Sequence, residues 1–203
     1  MNQQQLIAKR KIETFNMLPN LIWSIVFLFP LVVFCYSKMP AKWFFVLLSI
    51  SLPAAFLPNF FFYRLQVSKG DLFYKKAGVN FIGKFTQNGK ILNRFIKKRF
   101  PEYKRFAGKD DVYKKLINQT YMFEKFHFIL FVFFFTTMLF AINNRFYIWA
   151  SFLLIANVFY NVYPILLQQF IRIRLRRING SKRTNFNDFY LPENKHIKKV
   201  NVN

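Results

Sequence analysis

The sequence predicts an all-α integral membrane protein of about four transmembrane helices, with a basic cytoplasmic segment between the second and third that contains an interfacial amphipathic helix. Three observations carry that expectation. Of 203 residues 54% are hydrophobic and 30 are Phe, more than a soluble domain of this size needs to fill a core. The apolar residues gather into four blocks, 21–36, 43–63, 126–142 and 146–171. The formal net charge of +23 gathers between and beyond them. A nucleic-acid-binding chain would share the charge but not the segregation, so no nucleic-acid partner is expected; the basic parts instead suit an anionic leaflet.

A bilayer core of about 30 Å takes roughly 20 helical residues. Blocks 43–63 and 146–171 meet that length outright, and 21–36 and 126–142 reach it with flanking residues. The first block lacks a small-residue cleavage site and is followed by another apolar block, so it reads as a span rather than a cleaved leader. Pro30, Pro53, Pro58 and Pro164 lie within the blocks, where neighbouring helices are expected to accommodate kinks.

Orientation follows from the basic residues. Lys9, Arg10 and Lys11 precede the first block, whereas the first connector holds only Lys38 and Lys42 and the last only Arg145. Dense basic sets occupy 64–125 and 172 onward. The positive-inside rule puts these sets and both termini in the cytoplasm. The richness in Phe, Asn, Lys and Ile, which an AT-rich bacterial genome tends to encode, points to a multi-pass protein of a bacterial inner (cell) membrane. The expected segments are a basic N-terminus 1–20, a first hairpin 21–63, the basic interfacial segment 64–125, a second hairpin 126–171, and a basic, flexible tail 172–203.

Within the basic segment, 88–100 interleaves Ile91, Leu92, Phe95, Ile96 and Phe100 with Lys90, Arg94, Lys97, Lys98 and Arg99. That pattern predicts an amphipathic helix at the interface, ended by Pro101. The five cations are candidates for binding lipid headgroups or the phosphates of a soluble donor such as an acyl-CoA. After them, Asp110 or Asp111 is placed to cap a helix from about Val112 that runs on into the third block.

Thr120, Glu124 and His127 then fall at i, i+4 and i+7 on one face, at the cytoplasmic edge of the bilayer. The fourth block carries Asn157, Asn161 and Gln168 at i, i+4 and i+11, continuing to Arg172. Two polar rows on consecutive antiparallel helices are expected to face each other and form a polar pocket under Phe and Tyr. Two readings fit this pattern. Interfacial residues reaching headgroups would be one; a His oriented by a carboxylate is also a general base near neutral pH. Such a base would deprotonate a hydroxyl for attack on a thioester, with Arg172 or Asn161 stabilising the oxyanion. No metal is expected, since Glu124 and His127 give two ligands at most, His196 lies far along the chain, and Cys35 is the single cysteine.

The run T-x-x-x-E-x-x-H (Thr120, Glu124, His127) and the later N-x-x-P-x-x-x-Q-x-x-x-R-x-R (Asn161, Pro164, Gln168, Arg172, Arg174) resemble those of the bacterial glycosyl-4,4'-diaponeurosporenoate acyltransferases. The resemblance covers about residues 85–177. Gly89–Lys90 fits it too, while the usual Trp-Lys after the basic stretch is Arg99–Phe100 here. It implies an O-acyltransferase of carotenoid biosynthesis that moves a fatty acyl group from a thioester to a hydroxyl of a lipid-like glycoside. His127 would be the base, Glu124 its partner, and Thr120, Asn161, Gln168, Arg172 and Arg174 substrate contacts. No cofactor is implied beyond acyl-CoA or another acyl thioester as donor. Partners would be membrane lipids, the lipid-like acceptor and the donor. From another class, a non-catalytic membrane subunit holding protein partners or anionic lipid also fits the Phe-rich faces and basic loop. A small membrane methyltransferase or reductase fits less well, because the tail offers only Asp188 and Glu193.

Overall fold

The computed structural model describes residues 3–84, Lys98 and residues 110–180, and all regular structure among them is helical. Helix α1 (Gln3–Lys38) contains the first apolar block. Leu21, Ile22, Ile25, Val26, Phe29 and Val32 stand exposed along it, while Leu31 and Phe34 are buried against the other helices. A helix apolar all round, with only one side packed on protein, requires lipid on the other. Among the described residues three helices are long and apolar enough to cross a membrane: Met17–Lys38, Tyr113–Asn143 and Tyr147–Ile178.

The second block departs from the single span expected for it. It folds as α2 (Ala41–Ser51), a 3-10 turn Leu52–Phe56, and α3 (Asn59–Arg64). Proline explains both breaks. Pro53 has no N–H for the α-helical ladder, and Pro58 drives the preceding Leu57 to an extended φ of −62° and ψ of 133°. Two short helices follow, α4 (Leu72–Lys76) and α5 (Val79–Ile82), joined through Gly78 at a φ of 75°.

Helix α6 (Asp110–Asn143) runs unbroken through Asn118 and Gln119 into the third block. Its C-terminus reverses tightly. Arg145 takes a φ of 61°, its N–H reaches Ile142 O at 3.0 Å, and Phe146 N–H reaches Ala141 O at 2.8 Å, closing a Schellman turn. Then come α7 (Tyr147–Asn157), a π turn Val158–Val162, and α8 (Tyr163–Gly180). Residues 172–180 therefore belong to a helix, not to a flexible tail, because Arg172 and Ile173 are buried against the bundle.

The turns at Met39–Pro40 and at Asn144–Arg145 meet at one end of the bundle, around a cavity of about 470 Å³ lined by Lys38, Trp43, Phe140 and Asn144 among others. Between the ends, α1, α2, α6 and α7 share a core of Leu31, Phe34, Leu47, Phe133, Phe134 and Leu153. At the opposite, basic end, α4 and α5 pack on α8 through Tyr74, Val79, Leu167, Phe170 and Ile173. Of the five cations predicted to bind lipid or phosphate, Lys98 is helical and exposed. Lys90, Arg94, Lys97 and Arg99, and with them the expected interfacial helix 88–100, lie outside the described residues.

Candidate functional site

The seam between α6 and α7–α8 carries two polar clusters, built from residues one helical turn apart. The outer one centres on Glu124, 1% exposed, and Arg172, fully buried. Arg172 Nη1 lies 2.5 Å from Glu124 Oε2, and Gln169 Nε2 donates to Oε1 at 2.7 Å. Arg172 also directs Nε and Nη2 at Gln66 Oε1, 3.5 Å from each, and lays its guanidinium 4.0 Å from the Tyr121 ring centre. Gln169 Oε1 accepts from Val67 N–H at 3.2 Å and stands 3.0 Å from the Tyr74 hydroxyl. Arg176 Nη2 donates to the Tyr121 hydroxyl at 2.7 Å.

Every side chain at the centre of this cluster thus has partners on both sides, as burial of a charge demands. Burial also pushes the Tyr74 phenol up, so it stays a neutral hydroxyl. Just outside, Lys75 and Arg177 bond to Asp71 and hold its carboxyl down to about 2.

The inner cluster is different. Its residues are His127 on α6 and Asn157, Tyr160 and Asn161 at the π turn. Asn157 Nδ2 donates to the Phe131 carbonyl at 3.2 Å, and Asn161 Nδ2 donates to Asn157 Oδ1 at 2.8 Å. His127 sets its ring edge-on to Tyr160, centroids 5.8 Å apart, and faces the Asn161 side chain and the Tyr160 carbonyl. Neither approach closes into a hydrogen bond: His127 Nδ1 and Asn161 Oδ1 both stand buried without a partner. Tyr160 in turn meets Ser24 of α1, hydroxyl to hydroxyl, at 2.7 Å.

Not all residues expected at the site come together. Glu124 does not orient His127; Gln169 and Arg172 hold its two oxygens instead. Arg172, committed to that carboxylate, is not free as an oxyanion donor. Thr120 is buried on the shared face, but its hydroxyl bonds to its own helix at Ile117 O, 2.7 Å away. Gln168 joins neither cluster, and its neighbour Gln169 takes the place expected for it. The π turn is the reason, since it inserts an extra residue and rotates everything after it by one position. Arg174 is exposed, its guanidinium 5.5 Å from the Phe170 ring centre. The reading missed Gln66, Tyr74, Tyr121, Tyr160, Gln169 and Arg176. Gln169, Arg172 and Arg176 do stand at i, i+3 and i+7, a row visible once the register is set at Arg172. Among the described residues no group of His, Cys, Asp and Glu is arranged to hold a metal.

A family profile described as glycosyl-4,4'-diaponeurosporenoate acyltransferase matches residues 40–181, well over half the chain. The chain belongs to that acyltransferase family. The matched span begins after α1 and takes in α2 to α5, well beyond the residues that first suggested the resemblance. It contains every member of both clusters except Ser24. Membership makes this an acyltransferase-family protein of the carotenoid pathway, and its long apolar helices make it a membrane protein. No curated protein and no solved structure is similar enough to match it.

Proposed function

We propose that this family member is a multi-pass O-acyltransferase of the bacterial cell membrane that moves a fatty acyl group from an acyl thioester to a hydroxyl of a lipid-like glycoside. His127 is the general base. In the transfer, an imidazole nitrogen takes the hydroxyl proton as the oxygen attacks the thioester carbonyl. The tetrahedral intermediate collapses with loss of the C–S bond, and the leaving thiolate recovers the proton from the imidazolium. Ester and free thiol are the products, and no metal or redox partner enters. Of the two oxyanion donors expected, Asn161 is the one left, through its second amide N–H.

The observation that carries this reading is the inner cluster: a half-buried imidazole whose enclosed Nδ1 lacks a hydrogen bond, in a family of acyltransferases. A polar group kept short of partners in a tightly packed seam calls for a functional explanation. The basic end, where Arg64, Lys69, Lys75, Lys114 and Lys125 cluster, suits the cytoplasmic face, with both termini there. On that arrangement α2 and α3 together cross as a fourth, broken span. Glycosides reach the seam from the bilayer and a thioester from the cytoplasm.

Reconstitution in nanodiscs tests the assignment. Supplied with a glycosylated carotenoid acid and a long-chain acyl-CoA, the protein is expected to yield an ester whose mass equals the sum of the fatty acid and the glycoside less water. Release of free thiol without ester would make it a thioesterase. Neither product with any long-chain thioester would remove the acyl-transfer reading.

A further inference from the structure

The inner cluster fixes more than the identity of a base. An imidazole has two nitrogens, and a base needs its proton on one of them and a lone pair on the other. The surroundings of His127 determine which. The Phe131 carbonyl can only accept, so the Asn157 amide must present its NH2 there, at 3.2 Å. That leaves Asn157 Oδ1 as an acceptor, filled by Asn161 Nδ2 at 2.8 Å. Asn161 must then present Oδ1, an acceptor, to its remaining side, and that atom is buried without a donor. His127 faces it.

A second acceptor comes from the backbone. Pro164 has no N–H to give the Tyr160 carbonyl four residues back, and it follows directly on the π turn Val158–Val162. The Tyr160 carbonyl, short of its α-helical donor, also faces His127. Two acceptors therefore converge on a ring whose Nδ1 is buried and unpartnered.

Resting on the reading of His127 as the base, we propose that Asn157, Asn161 and the Tyr160 carbonyl hold it as the Nδ1–H tautomer, making Nε2 the basic atom. Nδ1–H satisfies Asn161 Oδ1 or the Tyr160 carbonyl after a small side-chain adjustment, and the bond to Asn161 Oδ1 removes two buried unpaired groups at once. The acceptor hydroxyl then approaches Nε2. Asn157 and Pro164 are positioning residues that act through the imidazole, Asn161 Oδ1 does the same while its second amide N–H faces the oxyanion, and Glu124 has no part in either.

The test reads the tautomer directly. In protein labelled with ¹⁵N-histidine and held in nanodiscs above the imidazole pKa, two-bond proton–nitrogen correlations report which nitrogen carries the proton; His196→Gln assigns the second histidine. The expected wild-type spectrum shows His127 with Nδ1 protonated, in about tenfold excess or more, the ratio that one net hydrogen bond supplies. Asn161→Asp should retain that tautomer and move the acid limb of the pH–rate profile upward, since a carboxylate favours the imidazolium. Asn161→Ala and Pro164→Ala should each lower the Nδ1–H share. A wild-type Nε2–H tautomer overturns the proposal, and so does a share unchanged in both variants. The wild-type spectrum decides even if a variant fails to fold. Nδ1–H in the wild type with undiminished acyl transfer by His127→Ala would leave this hydrogen-bond chain in place and remove the base.

Discussion

Glu124 and His127 sit three residues apart on the same helix, yet their surroundings are opposites. Around Glu124 both carboxylate oxygens are bonded, the facing guanidinium is paired and stacked, and the bonds continue into Gln66, Val67 and Tyr74. Around His127 two polar atoms are enclosed without partners. The first arrangement ties the basic-end segment 65–77 to the α6–α8 pair and leaves little for a substrate to bind. The second leaves an acceptor and a proton site waiting. On the reading proposed above, the complete cluster is scaffold and the incomplete one is the reaction machinery.

The contrast is most exposed to failure at the ion pair. Removing one partner of a buried pair costs about 3–5 kcal/mol, because the other is left charged and unpaired. Glu124→Ala and Arg172→Ala should therefore both lower the amount of folded protein in the membrane sharply, measured by detergent-resistant monodisperse elution. Glu124→Met with Arg172→Met should restore much of it. If Glu124→Ala instead accumulates normally and loses only acyl transfer, Glu124 belongs with the reaction and the contrast collapses.

A smaller effect follows at Gln169. Leucine there would strip partners from Glu124 Oε1, the Val67 N–H and the Tyr74 hydroxyl, at about 1–3 kcal/mol for a buried group left unsatisfied. Because those groups anchor segment 65–77, limited trypsin digestion at Lys69, Lys75 and Lys76 should accelerate. Gln168→Leu, one residue away, should change little. The reverse order would mean that the π turn does not set the register.

The smallest effect belongs to Asp71, a half-buried carboxylate bridging the exposed Lys75 and Arg177. Exposed ion pairs contribute little, so Asp71→Asn should leave digestion and activity unchanged. With its carboxyl depressed to about 2, any stabilisation it gives is complete above the ordinary carboxylate range and disappears only as pH falls towards that value. A loss of protease resistance on mild acidification therefore has to come from another group.

Much of this was legible in the sequence, for physical reasons that differ by element. The apolar blocks show in composition alone, and α6 could be followed from Asp110 because nothing in its 34 residues breaks a helix. Pro53 and Pro58 advertised the break in the second block, yet a long apolar run with prolines also suits a kinked span. At the site, Glu124 to His127 is a spacing that brings two residues together on one helix, and spacing says nothing of a better partner 48 residues away. Gln169 was out of reach, since no local preference announces a π turn and an unbroken α-helix points to Gln168. Asn161 was legible because its i+4 contact with Asn157 survives within the π turn.

The central claim is that the incomplete cluster does the chemistry. The direct measurement is the single-turnover rate of ester formation, from acyl thioester and lipid-like glycoside, by wild-type and His127→Ala membranes matched for folded protein. Loss of a positioned general base predicts a fall of about 10²–10⁴-fold with protein abundance unchanged. Equal rates would contradict the account, and equal rates no higher than those of membranes lacking the protein would leave the chain as a non-catalytic membrane subunit.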